Sequence, residues 1–236
     1  MLMKTADRRA EQQWNRTDLQ NQANRLSQRE SHALRIAQSH LSTPPRAPAN
    51  TTAATQADWH WRPDPLNTDI PPTGLHDVPS GTRVTPDTAL FHDCARGQIT
   101  LRQSEQETAD NAAAFKTIEV RDFEGTYLSL ATDLPQQALL GLGQHHIVAL
   151  DVHLHCASPV KSYARLNLRH GPNTDHIVTE LPDSTGAQNV EFDLACIRLD
   201  DTRLHHAWLD LIFEAPARNC ITLTDMALHR RPRAEI

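Results

Sequence analysis

The segment HIVALDVHLHC, residues 146–156, decides the fold class. Its apolar residues recur at every second position from Val148 onward, and Asp151, His153 and His155 fall between them. A period of two puts alternate side chains on opposite faces of a strand. The pattern is therefore typical of an antiparallel sheet that has one face on a core and the other in water.

Further segments with this alternation follow and precede it, and turn signals such as His170-Gly171-Pro172-Asn173 separate them. The other predicted strands are Ala89–Asp93, Gly97–Gln103, Phe115–Asp122, Thr126–Asp133, Lys161–Arg169, Thr174–Glu180, Asn189–Ile197, Trp208–Glu214 and Ile221–His229. Between these strands, helix is predicted only for one or two turns over Pro135–Leu142. Many short strands at near-regular spacing favour an antiparallel β-sandwich of the jelly-roll type over a parallel α/β fold.

Two regions of different composition precede this β domain, which is predicted for residues 88–236. Residues 1–42 contain no Gly or Pro and carry a narrow apolar stripe, which predicts an amphipathic helix. Residues 43–87 are rich in Pro and Thr and predict a connector. Within the connector, Trp59 and Trp61 point the same way in an extended segment, so they either pin it to the β domain or stack on a ligand.

Composition excludes some classes of function. The net charge of -6 gives no basic field for nucleic acid. No apolar run approaches the roughly 18 residues that span a bilayer, and the predicted helix has Trp14 as its one bulky anchor, so a membrane partner is not favoured. The N-terminus has no apolar signal region, which predicts a cytoplasmic location and reduced thiols. These thiols belong to Cys94, Cys156, Cys196 and Cys220.

The polar positions of the strands predict one sheet face. The connection between residues 146–156 and 161–169 is short, so the two strands are expected to form a hairpin. The face is then either a solvated surface with cross-strand ion pairs, or a groove that binds a polyhydroxylated ligand through fixed donors, acceptors and a flat ring. The candidate ligand-binding residues are Arg165, Asn167, Arg169, Asp193, Trp208 and Asp210.

Metal sites are weaker alternatives. His153 and His155 lie on one side of a strand and suit a transition metal, as in cupin-type jelly rolls, although the downstream Glu and flanking glycines of that pattern are missing. No cofactor is predicted, although Asp93 and Asp225 are candidates for a structural calcium. No catalytic residue is predicted, because neither a Gly-x-Ser-x-Gly elbow nor a phosphate-binding loop is found.

Several motifs resemble an alphaproteobacterial family defined by a domain of unknown function. They are Trp59-His60-Trp61-Arg62-Pro63, Leu90-Phe91-His92-Asp93-Cys94, Leu128-Ser129-Leu130 with Asp133-Leu134-Pro135, the stretch from Ala164 to Thr174, Asp210-Leu211-Ile212-Phe213-Glu214 and Arg231-Pro232-Arg233-Ala234-Glu235. This resemblance covers most of the chain and implies no activity. Separately, the strand Trp208–Glu214, the loop after it and the strand Thr224-Asp225-Met226-Ala227-Leu228 resemble galactose-binding-like jelly rolls, many of which bind carbohydrate.

The sequence therefore favours a non-catalytic binding module for a carbohydrate or a glycan-bearing partner. One alternative is an interaction protein whose N-terminal helix docks on a partner or on a second copy. The other is a metal-dependent enzyme that uses His153 and His155.

Overall fold

The structure is a computed structural model. It describes residues 57–63, 74–95, 98–108, 111–183 and 185–233, with side chains for all of these except 103–116. The N-terminal helix predicted for residues 1–42 lies outside the described residues. The domain boundaries drawn from the sequence stay predictions, and two short strands come from the predicted connector.

The described part of the chain is built almost entirely from strands. They are β1 (Trp59–Trp61), β2 (Thr82–Arg83), β3 (Thr88–His92), β4 (Gln98–Thr108), β5 (Asn111–Arg121), β6 (Tyr127–Asp133), β7 (His146–Cys156), β8 (Ser162–His170), β9 (Asn173–Glu180), β10 (Thr185–Asp193), β11 (Leu204–Glu214) and β12 (Asn219–Pro232). A short helix α1 (Gln136–Leu139) and the 3-10 turns Leu194–Cys196 and Asp201–Arg203 complete it. No helix among these residues is long and apolar enough to cross a membrane.

The strands form two antiparallel sheets. Sheet A has the order β10-β7-β12-β5-β4, and β1 also pairs with β12; sheet B has the order β2-β3-β6-β11-β8-β9. Inward-facing side chains of both sheets belong to one hydrophobic core, in which Leu150, Phe192, Leu166 and Phe213 are fully buried. Apolar side chains at every second position cover one face of each sheet, and stacking these faces removes them from water. The antiparallel β-sandwich predicted from the sequence is confirmed.

The predicted hairpin between the strands at residues 146–156 and 161–169 is wrong. β7 lies inside sheet A between β10 and β12, whereas β8 lies inside sheet B between β11 and β9. The segment between them carries the chain from one sheet to the other, and the Asn219 side chain holds it by accepting from Ser158 N (3.1 Å) and donating to Ser158 O (2.9 Å). A short connection suits both a hairpin and a crossing between stacked sheets, so its length did not discriminate between them.

Trp59 and Trp61 fix β1 to the sandwich. β1 pairs with β12 in the register Trp59 to Arg230 and Trp61 to Leu228, and both indoles pack against the core. The interpretation that they pin this segment to the β domain is confirmed. Arg230 reinforces the attachment, because its Nε donates to Asp58 Oδ1 at 2.9 Å and its Nη1 donates to Leu140 O at 2.9 Å.

Candidate functional site on the outer face of sheet B

Five of the six predicted ligand-binding residues meet on the outer face of sheet B, the face that points away from the core. β8 and β11 are neighbours, and their register pairs Arg165 with Asp210 and Asn167 with Trp208. Arg169 follows on the same side of β8, opposite His206. Alternation explains the grouping, because Leu166, Leu168 and Leu209 between them are buried in the core.

Asp210 is the centre of this group. Arg165 Nε donates to Asp210 Oδ2 at 2.9 Å, and Arg165 Nη2 lies 2.8 Å from the same oxygen. Asn167 Nδ2 also donates to Oδ2 at 2.9 Å, and it is held in place by the carbonyl oxygens of Arg165 (3.2 Å) and Trp208 (3.3 Å). Asp210 and Asn167 are only 3% and 4% exposed, although they lie on an outer sheet face.

Trp208 forms the aromatic border of the site. Its ring is half-buried, and His206 stacks on it with a centroid separation of 5.1 Å and an interplanar angle of 24°. The Arg169 guanidinium lies 5.7 Å from the ring centroid, within the range of a cation–π contact. His206 is positioned by Asp133 of the neighbouring β6, whose Oδ1 is 3.0 Å from Nε2. Two neighbouring side chains, His206 and Arg169, therefore hold the indole in a fixed orientation.

The same face also carries exposed apolar side chains. Phe91 of β3, Tyr127 of β6 and Val178 of β9 are each exposed by between 39% and 49%. The register places Val178 beside Arg165, and Phe91 beside Ser129 of β6. Polar and apolar side chains thus alternate across this face.

Asp193 is not part of this site. It ends β10 in sheet A, where its register partner is Ile147 of β7. Its Oδ1 accepts from Ala195 N at 3.0 Å and so caps the following 3-10 turn, and its Oδ2 lies 3.4 Å from Arg233 Nη2. The prediction that it shares a face with Arg165 is wrong, because alternation tells which side of its own strand a residue occupies but not which sheet the strand joins.

The candidate metal ligands do not form one cluster in the described part of the chain. His153 and His155 are exposed on the outer face of sheet A, and the residues that the structure describes contain no group of three His, Cys, Asp or Glu suited to a metal. Asp225 also lies in sheet A and pairs with Arg62 at 2.6 Å. Asp93, after β3 of sheet B, accepts from Thr126 N at 2.8 Å. The two aspartates of the calcium hypothesis are thus on different sheets.

The sequence analysis missed a pair between a buried His and a half-buried Asp on the outer face of sheet A. His229 Nδ1 lies 3.4 Å from Asp151 Oδ2, and Asn189 Nδ2 donates to Asp151 Oδ1 at 2.7 Å. The nearby His229 imidazole lowers the pKa of Asp151, and the hydrogen bond from Asn189 adds to this against the opposing effect of burial. The pair needs the register of β7 with β12, which no local pattern reveals.

The fold and this face define a two-sheet antiparallel β-sandwich protein with a polar and aromatic outer surface on one sheet. Over residues 2–236 the sequence matches the family of unknown function DUF6478, and the chain belongs to that family. The predicted resemblance to a family of unknown function is confirmed. No curated protein matches the chain.

Several solved structures are similar to this chain. One is the enzymatically active domain of tailspike protein 4 of bacteriophage CBA120 (6% identity, TM-score 0.43, covering 63% of this chain and 20% of that chain). Another is a family 11 carbohydrate-binding module from Clostridium thermocellum in complex with a β-1,3-1,4-mixed-linked tetrasaccharide (10% identity, TM-score 0.42, covering 64% of this chain and 92% of that chain). A third is a cyclase from Fischerella sp. TAU in complex with a pyrrolidinylidene indole (10% identity, TM-score 0.40, covering 75% of this chain and 100% of that chain). This chain spans one fifth of the tailspike chain, and the likeness concerns the fold alone.

Proposed function

We propose that the protein is a non-catalytic binding module that binds carbohydrate on the outer face of sheet B. The observation that carries the proposal is the hydrogen bonding of Asp210. A carboxylate only 3% exposed has its donors concentrated on one oxygen, beside an indole held in a fixed orientation.

The network is poorly explained by stability. Replacing a buried charged cluster by well-packed apolar residues of similar volume is often neutral or stabilising, because desolvating the charges offsets much of their attraction. Strands β8 and β11 already contribute buried Leu166, Leu168, Leu209 and Phe213 to the core. An Asp, Arg and Asn network on the other side of the same strands is therefore better explained by ligand recognition.

The network leaves polar atoms for a ligand. Within the described part of the chain, no hydrogen bond engages Asp210 Oδ1, Asn167 Oδ1 or Arg165 Nη1. Two oxygen acceptors, on Asp210 and Asn167, and one guanidinium donor, on Arg165, are thus neighbours on this face. Neighbouring hydroxyl groups of a sugar both donate and accept, so they match such a mixed set better than a phosphate or a carboxylate does.

The indole supplies the apolar contact that a sugar ring requires. The C–H groups on one face of a pyranose form an apolar patch, and a flat aromatic ring presents a matching surface with little conformational entropy to lose. On this face of the sheet, the pair Trp208–Asn167 is next to the pair Asp210–Arg165. Polar recognition and stacking are thus available to one ligand.

A glycan array followed by isothermal titration calorimetry tests the proposal. We expect a neutral oligosaccharide to bind the wild-type protein, and Trp208→Ala or Arg165→Ala to weaken it at least about tenfold, equivalent to about 1.4 kcal/mol. Arg231→Ala is the matched control. It removes an arginine whose Nη2 contacts the Glu191 carboxylate at 3.1 Å on the opposite sheet, so its affinity should equal that of wild type. Failure of every glycan to bind, or wild-type affinity in both site variants, would overturn the proposal.

A further inference from the structure

A cavity opens at one end of the β8–β11 strand pair. Its volume is about 260 Å³, and it lies between the β7–β8 connection and the β11–β12 connection. The lining includes Ser158, Lys161, Glu214, Ala217 and Asn219. None of these residues is among the ligand-binding residues predicted from the sequence.

Lys161 and Glu214 make this cavity continuous with the outer face of sheet B. Glu214 N donates to Lys161 O at 2.9 Å, which extends the β8–β11 ladder by one pair beyond Phe213 and Ser162. Phe213 faces the core, so the next pair faces outward, on the same side as Asp210. Glu214 is six positions after Trp208 along β11, so the two residues are roughly 20 Å apart along the strand.

The walls of the cavity are held rigidly. Asn219 bonds both the N–H and the carbonyl of Ser158, as described above. On the other side, Ala215 and Arg218 adopt positive φ values of 42° and 54°, which cost energy for residues other than glycine. Ala215 is fixed there by donation of its N–H to Thr126 O at 2.8 Å. Strained backbone of this kind concentrates where a surface is shaped for a ligand.

The charges in the cavity fit a neutral hydroxyl-rich group. Among the described residues, neither Lys161 nor Glu214 takes part in an ion pair. Glu214 accepts only a long hydrogen bond, 3.4 Å, from the Tyr163 hydroxyl. The ammonium group of Lys161 can therefore still donate hydrogen bonds to a ligand, and the carboxylate of Glu214 can still accept them. An anionic ligand would gain from Lys161 but be repelled by Glu214, whereas hydroxyl groups can use both.

We propose that the ligand is an extended neutral oligosaccharide that runs along β8 and β11, from Trp208 to this cavity. The inference rests on the proposed carbohydrate function. It adds that the ligand is an extended chain, that it runs along β8 and β11, and that it carries no net charge. The sugar next to Trp208 contacts Asp210, Asn167 and Arg165, and the far end of the chain enters the cavity between Lys161 and Glu214.

Calorimetry with oligosaccharides of increasing length tests this arrangement. The probes are β-1,4-linked oligosaccharides of glucose, galactose and xylose, from disaccharide to hexasaccharide, and acidic galacturonate oligomers of the same lengths. For the wild-type protein we expect the affinity for a neutral chain to rise at least about tenfold between disaccharide and hexasaccharide. Ala217→Trp, which fills the cavity, should abolish that rise and leave the affinity for the disaccharide unchanged. Ala187→Trp, the same substitution at an exposed position of sheet A, should behave as wild type.

The outcomes separate the two proposals. An affinity that does not depend on chain length, a rise that survives Ala217→Trp, or a preference for the galacturonate oligomers would overturn the cavity inference. Carbohydrate binding that still requires Trp208 would stand in each of those cases. The absence of binding to any probe would remove the proposed function and this inference with it. Far-UV circular dichroism of Ala217→Trp verifies that the variant is folded.

Discussion

Replacement of Asp210 should reveal whether its network serves stability or recognition. In Asp210→Ala, Asn167 Nδ2 loses a charged acceptor at 2.9 Å while remaining buried, and a hydrogen bond to a charged group contributes about 1.5–3 kcal/mol. The Arg165 side chain is 40% exposed and can be solvated again, so its ion pair adds only about 0–1 kcal/mol. We therefore expect the free energy of unfolding to fall by about 3 kcal/mol.

An apolar replacement of the whole network should have a different effect. The triple variant Asp210→Leu, Asn167→Leu, Arg165→Met leaves no buried polar group without a partner, so its stability should lie within about 1 kcal/mol of wild type or above it. Carbohydrate binding should nevertheless be lost.

Urea unfolding followed by far-UV circular dichroism measures both variants, and equal slopes against urea show that the comparison concerns stability alone. If the triple variant is as unstable as Asp210→Ala, the network is a structural requirement of sheet B. The argument that it exists for a ligand would then be refuted. Arg231→Ala again serves as the control for loss of an arginine–carboxylate pair on a sheet face.

Three other predictions concern different parts of the sandwich. Trp61→Ala should lower the free energy of unfolding by about 2 kcal/mol in urea titrations, less than the loss for a fully buried Trp because its ring is only partly buried; an unchanged value would mean that β1 adds nothing to the core. The nearby His229 imidazole depresses the pKa of Asp151, so this carboxylate stabilises the fold above the ordinary pKa of Asp, and the stability is lost as the pH falls through its folded pKa. Asp151→Asn should therefore flatten the acid side of a thermal-stability profile, and an unaltered profile would contradict this. Burial raises the pKa of Cys156 to about 11, so native protein treated with iodoacetamide at mildly alkaline pH should be alkylated at exposed Cys196 and not at Cys156, as measured by peptide mass spectrometry; equal labelling of both thiols would disprove the burial argument.

Local patterns predicted most of the strands and the side of a strand that their residues occupy. The strand predicted for Asn189–Ile197 is wrong in its bounds, because the structure has a strand over Thr185–Asp193 and a 3-10 turn over Leu194–Cys196. β7 was predicted with the bounds His146–Cys156 that the structure has, and the outward positions of Arg165 and Trp208 followed from the same alternation. These features depend on neighbouring residues only, because the side-chain period of a strand is fixed by its backbone.

Pairing between distant strands could not be predicted in this way. Asp193 and Arg165 have the same local signature, and only the topology places them on different sheets. The Asp151–His229 pair and the meeting of Lys161 with Glu214 likewise depend on which strands become neighbours. Nothing in a single strand specifies its partner when many strands share the same alternation.

The position of β12 in sheet A has a consequence for synthesis on the ribosome. One edge of β12 pairs with β7, and its other edge pairs with β5 near Ile221 and with β1 near His229. All the other described strands are made earlier, so a nascent chain that has not yet reached Asn219 carries β7 and β5 with unpaired edges. Such edges recruit other strands and promote aggregation. A truncated chain that ends before Asn219 would thus be prone to aggregate.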